Sequence, residues 1–202
     1  MRAIPKGTSW SCKSGVERSG SSLVTKQTVI AYWLIPSKPA YSFFQAIIAD
    51  LAHRCDAPVF EPHVTIHVGA DGADAVKETV GNAARGCKRI GLTPLRIDQS
   101  AEFIKTLFVQ FAMSVELRKI NKIIRNAAHD SLQYKLNPHL SLLYKNLAAG
   151  ARRELAASTY VPLSEVTFEA IKAVRCVSPT ESGADVEAWH VVAASSLSGD
   201  RQ

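Results

Sequence analysis

No run of about 18 apolar residues occurs anywhere in the chain, so no membrane-spanning helix is expected. Cys-x-x-C is absent as well. The four cysteines, Cys12, Cys55, Cys87 and Cys176, are widely scattered, which points to neither a zinc knuckle nor a dense disulfide framework and leaves reduced cytosolic thiols as the expectation. The N-terminus lacks the apolar stretch that a secretory signal needs. It also lacks acids: residues 1–26 hold six serines and five basic residues against the single Glu17. That composition fits an unstructured extension, or a transit peptide as the alternative, and no clear amphipathic helical pattern favours targeting. The expected plan is an N-terminal extension over 1–26, one folded domain over 27–196 and a short tail over 197–202, in a cytoplasmic monomer.

At 202 residues the chain suffices for one substantial domain or two small lobes sharing a core, and its 47% apolar and 21% charged content is that of an ordinary globule. The formal charge of +6 favours an anionic partner or substrate, although a surplus this small is common on plain soluble proteins.

Apolar periodicity divides the chain into alternating elements. Thr28 to Ile35 is β-branched and aromatic and stops at Pro36, as a strand does. A helix capped by Ser37 follows, with Phe43, Phe44, Ile47, Ile48 and Leu51 recurring at helical spacing, before a turn near Asp56. His63 to Val68 reads as a strand and Ala73 to Gly86 as a helix. Strands are expected around Leu92 to Asp98 and Thr106 to Met113, then a Ser114-capped helix reaching about residue 130. The remainder reads as a strand from Pro138 to Tyr144, a helix near Ala148 to Ala157, and strands near Val166 to Val177 and Glu187 to Ala194. One unit is written twice. The expected fold is therefore α+β and bilobal, a duplicated fold with pseudo-twofold symmetry in which two antiparallel sheets line a central cleft and helices pack outside.

The duplication has a chemical signature. Pro62-His63-Val64-Thr65-Ile66 returns as Pro138-His139-Leu140-Ser141-Leu142: proline, histidine, apolar residue, hydroxyl residue, apolar residue. Alternation along a strand places His63, Thr65 and His67 on one side and Val64, Ile66 and Val68 on the other; His139 and Ser141 likewise share a side. Each proline suits the first position of a strand, which puts both histidines near a strand mouth. His63 and His67 lie about 13 Å apart along a strand, too far to chelate one metal, so no metal or cofactor is expected and His67 reads as cleft-lining or surface. One histidine of such a pair alone is usually structural; two in the same setting suggest a shared substrate. In-line cleavage of a phosphodiester needs a base on the attacking oxygen, an acid on the leaving oxygen and donors to the non-bridging oxygens, and two histidine-hydroxyl pairs supply these.

The paired motifs resemble those of the two-histidine phosphoesterase superfamily, and Pro138-His139-Leu140-Ser141-Leu142-Leu143-Tyr144 is similar to the second motif of its cyclic phosphodiesterase branch. The resemblance extends over about residues 28 to 195, through Trp33 before Pro36, the Phe103 to Met113 region, Cys176 and Trp189. It implies metal-independent opening of a 2′,3′-cyclic nucleotide to a 2′-phosphate, or of ADP-ribose 1″,2″-cyclic phosphate to the 1″-phosphate. Carried over by position, His63 and His139 are the acid/base pair, Thr65 and Ser141 bind phosphate, and Tyr144 lines the phosphate site. Simple alternation puts Tyr144 on the face opposite His139, so that role requires a bulge or the strand's end nearby. Trp33 and Phe103 are aromatic contacts for a base by this resemblance, although such rings are more often core. Lys105, where the branch leads one to expect a neutral residue, either holds an anion or is solvated. The partner expected is a small anionic cyclic-phosphate nucleotide. The alternatives are an RNA end, opened or joined 2′–5′ as in RNA and tRNA processing, and a non-catalytic nucleotide-binding module.

Overall fold

The computed structural model describes residues 25–71, 73–128 and 134–198. The elements run β1 (Gln27–Pro36), α1 (Ala40–Cys55), β2 (Val64–Ala70), α2 (Ala73–Gly86), β3 (Ile90–Leu92) and β4 (Pro94–Gln99). A 3-10 turn at Phe103–Lys105 leads to β5 (Leu107–Phe111), α3 (Val115–Ala127), β6 (His139–Leu143), α4 (Ala149–Ser158), β7 (Val166–Ser178), α5 (Gly183–Glu187) and β8 (His190–Ser196).

Local chemistry explains most boundaries. Ser114 accepts the Leu117 N–H at 3.1 Å and caps α3 as expected. Ser37 does not cap α1, because the helix starts only after Pro39, and the Ser37 carbonyl instead accepts the Tyr41 N–H. Asp56 closes α1 at a φ of 48°, a left-handed conformation that Asp tolerates better than most side chains. The last strand begins later than expected, at His190. Ser182 and Asp185 form a capping box that winds Gly183–Glu187 into α5, a signal written in the sequence as Ser-x-x-Asp.

All strands pair antiparallel in one eight-stranded sheet of order β3-β7-β1-β2-β6-β5-β4, with β8 added on β7. The two expected sheets are its halves, joined at β2 and β6 through the single register pair Val64 and Leu140. Each repeat reaches into the other. Helix α1 packs on β6 and α3 on β2, while β4 pairs with β5 and β7 with β1. The main core lies between the sheet and helices α1 to α4 and includes Ile30, Leu34, Phe44, Ile120, Leu140 and Phe168. Each fully buried side chain of this kind stabilises the fold by about 1.5–3 kcal/mol. Ala31, Trp33, Ile35 and Val174 cover the opposite face.

Both motif strands carry an extra residue at the same place. Trp33 and Tyr32 on β1 face Thr65 and His67, leaving Ile66 over; Phe108 and Leu107 on β5 face Ser141 and Leu143, leaving Leu142 over. A bulge reverses the alternation beyond it. His67 therefore leaves the His63 face and lies fully buried on the helix side, 6.1 Å from the Tyr32 ring and 5.8 Å from Tyr134, contrary to its expected place in the cleft or on the surface. Val68 takes the cleft side instead. The carbonyl groups around the first bulge are satisfied from outside the sheet: Asn121 Nδ2 donates to Ile66 at 2.6 Å and the Tyr134 hydroxyl to Thr65 at 3.2 Å.

Packing extends past the expected edges of the domain. Lys26 pairs with Asp185 at 2.7 Å, Leu197 is buried, and Ser198 Oγ donates to the Cys87 carbonyl at 2.9 Å. The rest of the expected extension and tail, residues 1–24 and 199–202, lies outside the described residues. Cys55 is disulfide-bonded, which corrects the expectation of reduced thiols throughout; Cys87 and Cys176 are free. Scattered spacing carries no pairing information, because cysteines meet only through the fold. Among the described residues no helix is long and apolar enough to cross a membrane.

Candidate active site

A cleft of about 750 Å³ opens where β2 and β6 meet, on the face away from the main core. All eight expected site residues line it: Trp33, His63, Thr65, Phe103, Lys105, His139, Ser141 and Tyr144. They come from β1, from β2 and the residue just before it, from β6 and the residue just after it, and from the 3-10 turn, segments far apart in sequence.

The histidines are mounted alike. His63 Nδ1 donates to the carbonyl of Glu61 at 2.6 Å, and His139 Nδ1 to that of Asn137 at 2.8 Å. A carbonyl only accepts, so each Nδ1 carries the proton of the neutral ring and each Nε2 is left as the free acceptor. The acceptor stands two residues before the histidine in both cases, with the motif proline between. His63 is the more enclosed, at 7% exposure, with Trp33 stacked at 3.7 Å and an interplanar angle of 11°. Burial lowers its pKa to about 3; the Glu61 carbonyl opposes that shift, while His139 and Lys172 add to it. Burial also lowers the pKa of His139, again opposed by its carbonyl partner; Lys105 lowers it further and Glu102 raises it.

Thr65 follows His63 on the same face, ahead of the bulge. Ser141 holds the matching place and donates its hydroxyl to the Ile104 carbonyl at 2.8 Å, so its O–H must rotate about the Cβ–Oγ bond before it can donate to a phosphoryl oxygen. Tyr144 reaches the cleft because the Leu142 bulge precedes it and β6 has ended. Its hydroxyl neighbours Ser141, its ring stacks on Phe60 at 3.7 Å, and burial raises its pKa. Phe103 lies 6.2 Å from the Tyr144 ring, and Lys105 Nζ lies 4.6 Å from the centre of the Phe108 ring, which is itself 5.4 Å from His139.

Sequence reasoning left out Tyr134, Lys135, Asn137 and Glu102, which also line the cleft, and gave Trp189 no place in it. Trp189 is half-buried and borders the cleft, edge-on to Trp33 at 5.3 Å. Asn137 was within reach of the sequence, since it matches Glu61 when the two motifs are aligned. Trp189 carried no such signal. Among the described residues no three His, Cys, Asp or Glu side chains gather as metal ligands, and His63 and His67 occupy opposite faces. His53 and His190 are exposed, and His129 lies outside the described residues.

The family model for cyclic phosphodiesterase-like proteins matches residues 28–197. The cyclic phosphodiesterase of Arabidopsis thaliana is 26% identical over 176 residues, spanning 85% of this chain and 97% of its own. In fold, the chain is similar to TT0787 of Thermus thermophilus, at a TM-score of 0.56 and 12% identity over 86% of this chain and 100% of the other. Escherichia coli LigT, crystallised with 3′-AMP, gives a TM-score of 0.50 and 11% identity over 85% of this chain and 98% of its own.

Proposed function

The chain belongs to the cyclic phosphodiesterase-like family, and we propose that it opens 2′,3′-cyclic nucleotides to nucleoside 2′-phosphates and ADP-ribose 1″,2″-cyclic phosphate to ADP-ribose 1″-phosphate. His63 and His139 act as the acid/base pair, and Thr65, Ser141 and Tyr144 surround the phosphoryl oxygens. The observation that supports this reading is the matched mounting of the two imidazoles, each with Nδ1 fixed on a backbone carbonyl and Nε2 left for chemistry in one cleft.

Water adds to phosphorus in line with the O3′ that departs. One Nε2 takes the proton of the attacking water; the P–O3′ bond breaks; the other imidazole, charged at that moment, gives its Nε2 proton to O3′. The product is the 2′-phosphate monoester, and solvent resets the two rings. Acid/base assistance of this kind contributes about 10²–10⁴-fold. Burial holds both rings neutral, and an anionic phosphodiester between them favours the imidazolium that the acid step needs. The hydroxyls counter the charge that grows on the non-bridging oxygens.

Phe103 supplies a face for a base, whereas Trp33 is 4% exposed and its ring is taken up by His63 and Trp189. Lys105 and Lys135 line the same cleft, and neither forms an ion pair among the described residues. They suit a substrate with phosphate beyond the cyclic one, which ADP-ribose cyclic phosphate has and a cyclic mononucleotide lacks. The test is to incubate the protein, in EDTA, with the four 2′,3′-cyclic nucleotides, ADP-ribose 1″,2″-cyclic phosphate and a cyclic-phosphate-ended oligonucleotide. Phosphorus NMR then identifies the bond opened. Ring opening of the small substrates is expected; binding without turnover across the panel, or full turnover after both His63→Ala and His139→Ala, refutes the proposal.

A further inference from the structure

We infer that Glu61 and Lys172 are positioning residues for His63, an ion pair that fixes the carbonyl on which the imidazole is mounted and balances the charge beside the ring. The inference deepens the proposed acid/base role of His63 and rests on it for any effect on turnover. Its effect on the ring itself stands apart.

Residue 61 is held from three directions. Its carbonyl accepts from His63 Nδ1 at 2.6 Å; both carboxylate oxygens meet Lys172 Nζ, at 2.6 and 2.8 Å; and Tyr41 of α1 donates its hydroxyl to Oε1 at 3.2 Å. Lys172 lies on β7 opposite Trp33, the residue whose ring stacks on His63. One strand pair thus brings the lysine and the stacking ring to the same imidazole. The other motif uses no charge for this purpose: Asn137 Oδ1 accepts from Gln110 Nε2 at 3.1 Å, and the same amide donates to the Pro138 carbonyl at 2.8 Å. The two histidines therefore share an acceptor geometry but differ in what anchors it.

Magnitude favours a role in the site over one in stability. The pair is 25% and 23% exposed, and an ion pair that solvent still reaches contributes little to stability. Beside a buried imidazole, either charge left alone moves the ring's titration by about one pH unit. The other groups facing His63 leave that charge balance to the pair. Trp33, Phe60 and Trp189 do not titrate there; Tyr144 and Cys176 stay protonated, the thiol pushed up to about 11; His139 across the cleft adds to the lowering of the His63 pKa, but alike in every variant compared. Lys172 adds to the lowering of the His63 pKa.

The experiment is an NMR titration of the His63 imidazole in the full chain, for wild type, Lys172→Met, Glu61→Gln and the double variant. Lys172→Met leaves the Glu61 carboxylate unbalanced, so the midpoint should rise by about one pH unit. Glu61→Gln leaves the ammonium unbalanced, so the ring should stay neutral to the lowest pH at which the fold persists, and the double variant should fall back toward wild type. The limb of the kcat/KM profile set by His63 should move with these midpoints while His139 keeps its own. If Lys172→Met unfolds the chain, Lys172→Gln carries the same test. No rise on losing the lysine charge, or a rise on losing the carboxylate charge, overturns the inference. A wild-type protein inactive on every cyclic phosphate instead defeats the proposed function and leaves the imidazole titrations to decide this point.

Discussion

His63 should make the fold acid-labile by an amount that can be worked out. In the folded chain the ring takes up a proton only at about 3, against 6.5 for an ordinary histidine. Between those values the unfolded chain holds the extra proton, so the contribution of the neutral ring is fully present above 6.5 and declines as pH falls toward 3. The slope is about 1.4 kcal/mol per pH unit. Lowering the pH from 7.5 to 4.5 crosses about two units of that window and costs about 2–3 kcal/mol from this residue. His63→Asn keeps a side-chain N–H donor and removes the titration. Urea unfolding of both proteins at the two pH values isolates the term, because the contribution of His139 is common to both and cancels. Wild type should lose about 2–3 kcal/mol more than His63→Asn on acidification; equal losses would mean that His63 is not held neutral, and the account of its environment fails.

Ring opening of a 2′,3′-cyclic nucleotide should fall about 10²–10⁴-fold in His63→Ala and in His139→Ala, measured as kcat/KM with folding checked by circular dichroism. Thr65→Val and Ser141→Ala should each cost about 10- to 100-fold, the worth of a hydrogen bond to a charged group. Lys105→Gln and Lys135→Gln should raise KM for ADP-ribose 1″,2″-cyclic phosphate more than for cyclic mononucleotides; equal effects on both would remove these lysines from any second phosphate contact. Deleting Ile66 takes out the first bulge together with a fully buried side chain, while alternation from Thr65 still leaves His67 toward the core and Val68 toward the cleft, so melting temperature should fall more than turnover. Ile66→Val, which keeps the bulge, should cost only about 1 kcal/mol.

The repeated proline-histidine motif was enough to mark the two catalytic candidates and to place each hydroxyl beside its histidine, since those relations span two residues of one strand. The Ser114 cap and the extent of α2 were legible for the same reason, as both depend on near neighbours in the chain. Strict alternation misplaced His67 and left Tyr144 in need of a bulge or a strand end, because the bulge at Ile66 and its counterpart at Leu142 appear only in the pairing of β2 with β1 and of β6 with β5. The brace around His63 was hidden for a similar reason. Lys172 stands far along the chain from Glu61, and Tyr41 reaches the same carboxylate from α1. Local spacing decides what a strand presents on either side of a motif. Which strand lies next to it, where the ladder gains a residue, and which charge meets an imidazole's anchor are decided by contacts distant in sequence, and only tertiary structure supplies those.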